Sequence, residues 1–161
     1  MDSEIAIRQA VPGDEPALIA LGRALTAAML PLMPAALRPD EETANAWEDE
    51  AIRRCFAGGE ADREPVLLVA CKDGAPVGYA LTKLAPGAPG RREARLNSLV
   101  VDAGCRGRGI GRALLDAALA EAKRRGAGTI ALHVLAGNAA AEKMYRAAGF
   151  ADERKTLWRT L

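Results

Sequence analysis

The sequence predicts a mixed α/β fold built as one domain. Short apolar alternations typical of strands and amphipathic stretches typical of helices follow one another in the order βααβββαβαβ, with a last strand-like stretch at the end. The 161 residues, half of them apolar, are enough for one sizeable core. No internal repeat or long linker divides the chain, so we expect a single domain over residues 1–161, with helices packed on one layer of sheet.

The first half of the chain predicts one strand and two helices. Ile5 and Ile7 alternate with polar or small neighbours, which indicates a short strand. Asp14 follows a Pro-Gly break and can cap a helix running to about residue 30, where prolines stop it. A second helix is predicted over 40–56 and ends at Gly58 and Gly59.

The middle of the chain predicts three strands. An apolar run at 66–72 is followed by Asp73-Gly74, a dipeptide typical of hairpin turns, and by a returning strand at 76–84. Residues 86–90 form a predicted loop, and the next strand covers 94–101.

The second half predicts two helices with a strand between them. A glycine-rich turn at 107–111 opens a helix that glycines close at 126–128. A strand is expected over 129–135 and a helix over 138–148. A final stretch at 156–158 is again strand-like.

Composition and charge narrow the classes of partner. A net charge of +1 gives no sign of nucleic-acid binding. The three cysteines are widely spaced and form no CxxC pair, which indicates reduced thiols in a cytoplasmic protein and no metal site. The acidic N-terminus is unlike a signal peptide, and no uninterrupted apolar run reaches the roughly 18 residues that span a bilayer. We therefore expect no membrane partner.

Charge is distributed unevenly along the chain. Residues 1–60 hold five basic and eleven acidic side chains, whereas residues 91–125 hold nine basic and four acidic ones. Two solvated faces would explain this equally well. The functional alternative is an anion site in the second half and a surface that tolerates cations in the first.

The segment 99–115 carries the strongest local signal. An apolar strand passes through the glycine-rich turn into an amphipathic helix. Such a turn directs backbone N–H groups at one point, and the helix N-terminus adds partial positive charge there. Arginines at 106, 108 and 112 add further cations. The segment therefore predicts a site for an anion, most plausibly a phosphate.

Two nucleotide-binding motifs are excluded at this turn. The chain has no Gly-Lys-Ser/Thr, which a P-loop requires. The glycines at 107, 109 and 111 do not give GxGxxG, and the strand at 129–135 carries no acid to hold a ribose. One structural alternative stays open, namely that these glycines only let a helix cross a strand closely.

A second group of residues lies on the helix predicted at 138–148. Asn138 suits its N-cap, and Ala141 and Tyr145 follow on the same face three and seven residues later. The small residue leaves room for a chain-like ligand along the helix. Tyr145 then lies about 10 Å from the cap.

Together the two segments resemble the GCN5-related N-acetyltransferase (GNAT) superfamily. Arg106-x-x-Gly109-x-Gly111 is similar to its Q/R-x-x-G-x-G/A signature, and Asn138-x-x-Ala141-x-x-x-Tyr145 to its next helix. The resemblance implies the acyl-CoA N-acyltransferase fold. That fold has a mostly antiparallel sheet of six to seven strands, a splayed parallel central pair and four helices. It also implies acceptor-side helices at about 14–57 and a coenzyme-binding core at about 93–150.

The resemblance assigns roles residue by residue. The strand before the turn offers main-chain groups to pantetheine, and Tyr145 protonates the leaving thiolate and contacts the coenzyme. Asn138 contacts the pantetheine arm. The remaining coenzyme contacts fall on the strand and on the turn that cradles the pyrophosphate: Leu99, Val100, Val101, Arg106, Gly107, Arg108, Gly109, Ile110, Gly111 and Arg112.

The base that deprotonates the acceptor is less evident. Family members often use a strand glutamate, and here only Glu93 matches, at the edge of the strand. His133, expected on the strand at 129–135, and Cys105, beside an arginine, are weaker alternatives. Ser98 has no recognisable triad partner.

The implied activity is transfer of an acetyl group from acetyl-CoA to a primary amine, by direct attack in a ternary complex and without a metal. The acceptor is a small-molecule or peptide amine. The acidic excess in residues 1–60 suggests a cationic one. A non-catalytic acyl-CoA sensor or regulatory module is the alternative, and a homodimer is possible because family members often dimerise.

Overall fold

A computed structural model describes residues 4–58, 65–87 and 91–160. Its five strands form one sheet in the order β1-β2-β3-β4-β5, antiparallel throughout except for the parallel β4–β5 pair. The strands are β1 Ile5–Gln9, β2 Val66–Lys72, β3 Ala75–Pro86, β4 Arg92–Val101 and β5 Ala127–Leu132. The helices are α1 Glu15–Met29, α2 Glu41–Arg54, α3 Ile110–Arg124 and α4 Ala139–Ala147. The predicted single-layer α/β fold with four helices is confirmed.

The two faces of the sheet are covered by different helices. Leu18 of α1 and Ile52 of α2 are fully buried against Leu81 and its neighbours on one face. On the other face, α3 buries Leu114 and Leu115, and α4 adds partly buried side chains. Each face of the sheet therefore has its own apolar core.

The β2–β3 hairpin follows the sequence closely. The turn residues Asp73 and Gly74 have φ values of 50° and 82°, the left-handed conformation that a two-residue turn requires and that Asp-Gly adopts readily. β2 is buried along almost its whole length because it lies inside the sheet with helices on both faces.

The C-terminal part of the sheet differs from the expectation. β5 ends at Leu132 rather than at residue 135, and residues 151–160 form no regular structure. Leu157 is 93% exposed and Trp158 51% exposed, so the strand-like stretch at 156–158 buries little apolar surface to offset the entropy of ordering it. The described sheet thus has five strands rather than six or seven, and β5 lies at its edge rather than at its centre. Residues 59 and 88–90 of the predicted helix end and loop fall outside the described residues.

The N-terminal helix also passes a simple membrane criterion. The stretch 12–32 is long enough and apolar enough to cross a bilayer, with a mean hydropathy of 1.2 in an 18-residue window of which 11% is buried. In the fold this stretch contains α1, which packs on α2 and β3. Arg23 of α1 pairs with Asp49 of α2 at 2.8 Å. A helix packed on the sheet of a globular domain meets the same criterion.

Candidate active site

A wedge opens between β4 and β5. Their parallel pairing runs from Arg92 to Leu96 on β4 and stops there, whereas β4 continues to Val101 paired only with β3. A bulge at Asn97 bends β4 where the two strands part, because Leu81 and Thr82 of β3 oppose residues 98 and 96. Beyond this point the β5-facing main chain of β4, which includes Leu99, Val100 and Val101, has no strand partner among the described residues. These unpaired groups can bind an extended ligand.

The glycine turn stands at the open end of this wedge. Gly107 and Gly109 have φ values of 74° and 78°, and a Cβ on either would meet nothing within 4 Å. A Cβ on Gly111 would make only ordinary contacts, 3.5 Å from Met144 and 3.6 Å from Val101. Close helix–strand crossing therefore does not explain the glycines. The backbone conformation requires two of them, and the space beside them is open.

The N-terminus of α3 has no internal cap. Gly109 occupies the N-cap position and has no side chain to accept hydrogen bonds from the first turn, whose amides belong to Ile110, Gly111 and Arg112. The Ile110 side chain is 2% exposed, which anchors the turn to the core. Uncapped amides and the positive end of the helix dipole together form an anion site.

Three exposed arginines surround the turn, and two of them are held by the protein. Arg106 donates from Nε to the carbonyl of Val101 at 3.0 Å. Arg112 pairs through Nε with Asp116 at 2.9 Å and donates from Nη1 to the carbonyl of residue 147 at 3.4 Å. Arg108 has no hydrogen bond or ion pair with the other described residues. It is therefore the arginine that could turn toward a ligand without breaking such a contact.

The predicted N-cap of α4 is present. The side-chain oxygen of Asn138 accepts from the amide of Ala141 at 3.4 Å, and its Nδ2 donates to Sδ of Met29 at 3.5 Å. A Cβ on Gly137 would lie 3.2 Å from Leu32. The end of α1 and the turn after it therefore rest on the loop that leads into α4, and Asn138 joins the two. Nothing in the sequence indicated this contact.

Tyr145 is half-buried on α4. Its ring meets that of Phe150 edge-on, with centroids 5.8 Å apart. Desolvation raises the pKa of its hydroxyl above the ordinary value of 10.0. The hydroxyl makes no hydrogen bond to any other described residue. Tyr145 is thus a protonated phenol whose donor is available to a ligand.

Glu93 is less well placed than Tyr145. It is exposed near the start of β4, and its Cγ lies 2.6 Å from where a Cβ on Gly87 would be. It precedes Leu96, the last residue paired with β5, by three positions, or about 10 Å of strand. Glu93 therefore lies on the part of β4 that is paired with β5, short of the wedge.

The other candidates occupy different places. His133 lies just beyond the end of β5 rather than on the strand, and its Nε2 is 3.4 Å from Nη1 of Arg95. Ser98 is 6% exposed on β4. Cys105 is a partly buried free thiol before the turn. Within the described ranges, no group of three or more His, Cys, Asp or Glu side chains could hold a metal ion.

One polar contact between β3 and α2 was not predicted. The hydroxyl of Tyr79, a fully buried residue of β3, donates to Oε1 of Glu48 on α2 at 2.6 Å. Tyrosine in a strand is common, so the sequence carried no signal that this one would hold a carboxylate.

Solved structures share this fold along nearly the whole chain. A transcriptional regulator from Bacillus halodurans C-125 superposes with a TM-score of 0.72, at 21% identity, covering 98% of this chain and all of that one. A ribosomal-protein-alanine N-acetyltransferase from Brucella melitensis biovar Abortus 2308 gives 0.68 at 20% identity, covering 98% and 99%. At these identities the likeness concerns the fold alone.

Sequence comparison adds a family and one relative. A mycothiol acetyltransferase from Cellulomonas flavigena is 39% identical over 91 residues, which make up 53% of this chain and 26% of that protein. The chain therefore spans about a quarter of this relative's length. The profile of the acetyltransferase (GNAT) family matches residues 28–150, which include the wedge, the turn and α4. The chain belongs to the acetyltransferase (GNAT) family.

Proposed function

We propose that the chain transfers an acetyl group from acetyl-CoA to a primary amine by direct attack in a ternary complex. One observation carries the proposal. The uncapped start of α3, with two left-handed glycines in open space, adjoins the unpaired edge of β4. A diphosphate with an extended arm fits a site that offers an anion hole at one end and free main-chain groups along the other.

The residues of the site suit coenzyme A in that orientation. Residues 106–112 would hold the pyrophosphate through backbone amides, with Arg108 turning toward it. The edge formed by Leu99, Val100 and Val101 would bind the amides of the pantetheine arm. Asn138 caps α4 beside that path. These contacts would bring the thioester close to Tyr145.

The chain's own groups would then serve the transfer. Acetyl-CoA supplies an activated thioester. The amine nitrogen forms a bond to its acyl carbon, and the C–S bond breaks. A main-chain N–H of the unpaired β4 edge stabilises the negative charge that develops on the carbonyl oxygen. Tyr145 donates a proton to the departing sulfur, whose ordinary thiol pKa is about 8.5. Glu93, the predicted base, takes the amine proton through water.

Two measurements test this function together. Thiol release is followed with acetyl-CoA and a panel of amines, and coenzyme A binding is measured by calorimetry. We expect binding in the wild type, release with at least one amine, and loss of both in Gly109→Glu, which places a carboxylate at the anion site. Binding without release for any amine would favour the sensor, and absence of binding would contradict both functions.

A further inference from the structure

Three neighbouring strands, or the residue just past one of them, present basic side chains on one face of the sheet. Lys83 of β3 and Arg95 of β4 stand directly opposite each other in the antiparallel register. Nη1 of Arg95 lies 3.4 Å from Nε2 of His133, just past the end of β5. We call Lys83, Arg95 and His133 the basic row. Lys83, Arg95 and His133 are all exposed.

The two fixed charges of the basic row are uncompensated. Like charges directly opposite on neighbouring strands destabilise a sheet. No described carboxylate forms an ion pair with either Lys83 or Arg95. Glu93 precedes Arg95 by two residues on the same face, but its side chain packs at Gly87.

Other nearby groups do not neutralise the row either. Burial raises the pKa of Cys55, whose thiol lies within electrostatic range of Lys83, to about 11, so this thiol is neutral at pH 7. The carboxylate of Glu48, which accepts a hydrogen bond from the hydroxyl of Tyr79, forms no ion pair with Lys83 or Arg95. Two opposed cations that cost stability and lack a direct ion-pair partner among the described residues are suited to binding an external anion.

The basic row lies beside the wedge, on the face that carries α1 and α2. The side chains that flank Arg95 along β4, Ala94 and Leu96, are buried, and Leu96 belongs to the core under α3. Side chains alternate along a strand, so Arg95 points to the opposite face. Leu96 is also the last β4 residue paired with β5. An anion on the row would therefore lie a few ångströms from the opening, on the side away from α3.

The acidic side chains of residues 1–60, which suggested a cationic acceptor, are mostly engaged in contacts within the protein. Most of those in the described part are used within the protein: Asp14 with Arg8, Glu15 with Arg53, Asp40 with Thr43, Glu48 with Tyr79, Asp49 with Arg23, and Glu50 with Arg54. Four of these six carboxylates, Asp14, Glu15, Asp49 and Glu50, form ion pairs with arginines of the same part of the chain.

We propose that the acceptor amine carries an anionic group, a carboxylate or a phosphate, which Lys83 and Arg95 bind while His133 orients Arg95. This inference rests on the proposed function for the identity of the ligand as an acceptor. The anion site itself does not depend on turnover. The two parts can therefore be tested separately.

The site is tested first by binding. Inorganic phosphate is titrated by calorimetry into protein saturated with coenzyme A, so that the glycine turn is already filled. Lys83→Gln and Arg95→Gln should each weaken phosphate binding about tenfold or more, since each removes a charged donor. Lys123→Gln, which removes an exposed cation at the end of α3, is the matched control and should bind as the wild type does. Equal binding in all four proteins would overturn the proposal.

The role in acceptor choice is tested by kinetics on paired amines. An amino acid is compared with its carboxamide, and an amino sugar with its 6-phosphate, which separates carboxylate from phosphate as the preferred group. The wild type should favour one anionic member about 10- to 100-fold in kcat/KM. Arg95→Gln should remove that preference by lowering kcat/KM for the anionic amine, whereas the control Lys123→Gln should keep it. Turnover with no preference for an anionic amine would overturn the inference, whereas phosphate binding without any turnover would overturn only the proposed function.

Discussion

A tyrosine that is to protonate a leaving group must keep its own proton at working pH. Burial secures this for Tyr145, because desolvation raises the pKa of its hydroxyl. Tyr145→Phe should lower kcat roughly 10- to 1000-fold and leave coenzyme A affinity nearly unchanged, since only the hydroxyl is lost and the ring can keep its contact with Phe150. Steady-state thiol release and calorimetry measure the two effects.

The pH dependence of the same reaction follows from the sign of that shift. A phenol with a raised pKa stays protonated through neutral pH and loses its proton only above pH 10, so the alkaline fall in kcat that depends on Tyr145 should lie above pH 10. This limb should be absent in Tyr145→Phe. If kcat falls between pH 8 and 9 in both the wild type and Tyr145→Phe, the alkaline fall belongs to another group.

Gly109 is a second residue whose role is separable from packing. Its φ of 78° disfavours any side chain, although a Cβ there would meet no atom within 4 Å. Gly109→Ala should lower the free energy of unfolding by about 1–2 kcal/mol through backbone strain and also weaken coenzyme A binding. The control is Gly128→Ala, where space is equally open and φ is not left-handed. Urea unfolding and calorimetry on both variants provide the test, and equal effects in the two would argue against the assigned role.

At the scale of elements, the corner between β1 and α1 depends on one carboxylate. Asp14 is 6% exposed, accepts two hydrogen bonds from Arg8 at 2.7 and 3.0 Å, and accepts the amide of Val11 at 2.8 Å. The Arg8 hydrogen bonds, followed by that of the Val11 amide, hold the pKa of Asp14 below its ordinary value. Asp14→Asn should therefore destabilise the domain by about 1.5–3 kcal/mol at pH 7.

The difference between wild type and Asp14→Asn should depend on pH. Because the folded-state pKa is lowered, the charge of Asp14 stabilises the fold above the unfolded-state pKa of about 3.9, and this contribution is lost as pH falls through the folded-state value. Urea unfolding of both proteins from pH 7 to pH 3 should show the gap closing. Asp73→Asn, at an exposed turn residue, is the control and should show no comparable gap.

Local chemistry made some elements predictable and not others. The β2–β3 hairpin was predicted to within two residues because Asp73-Gly74 encodes its turn. The end of β5 was not, since nothing in the chain after Leu132 marks where the partner strand bends away. The stretch 156–158 has strand-like residues, but a strand forms only where a partner supplies hydrogen bonds, and that depends on distant parts of the chain.

The candidate site also has one part that the sequence predicted and one part that it did not. The turn at 106–112 and the cap at Asn138 are contiguous in sequence, so glycine spacing and capping residues were enough to find them. The pairing of Lys83 with Arg95 depends on the register of β3 and β4, which a bulge shifts between Leu81 and Thr82. A single sequence does not show such a bulge, and these residues were consequently missed.

For the molecule as a whole, the wedge and the turn form a continuous strip of backbone without protein partners. It comprises the β5-facing edge of residues 97–101 and the first turn of α3. Amides that lack hydrogen bonds exchange with solvent quickly, and a bound ligand that accepts from them slows this exchange. Coenzyme A should therefore slow amide exchange in two segments that are separate in sequence but adjacent in the fold.

Hydrogen exchange followed by mass spectrometry tests this pattern. With saturating coenzyme A, the amides of peptides covering 97–101 and 106–113 should exchange at least about tenfold more slowly than in the free protein. The exposed β2–β3 turn at Asp73 and Gly74, which exchanges through its own local motion, should be unchanged. Protection at 106–113 alone would place the pyrophosphate but not the pantetheine arm. We expect protection at 106–113 because no other described segment joins left-handed glycines in open space to an uncapped helix start and an unpaired strand edge. Protection that spares 106–113 altogether would therefore contradict the assigned coenzyme site.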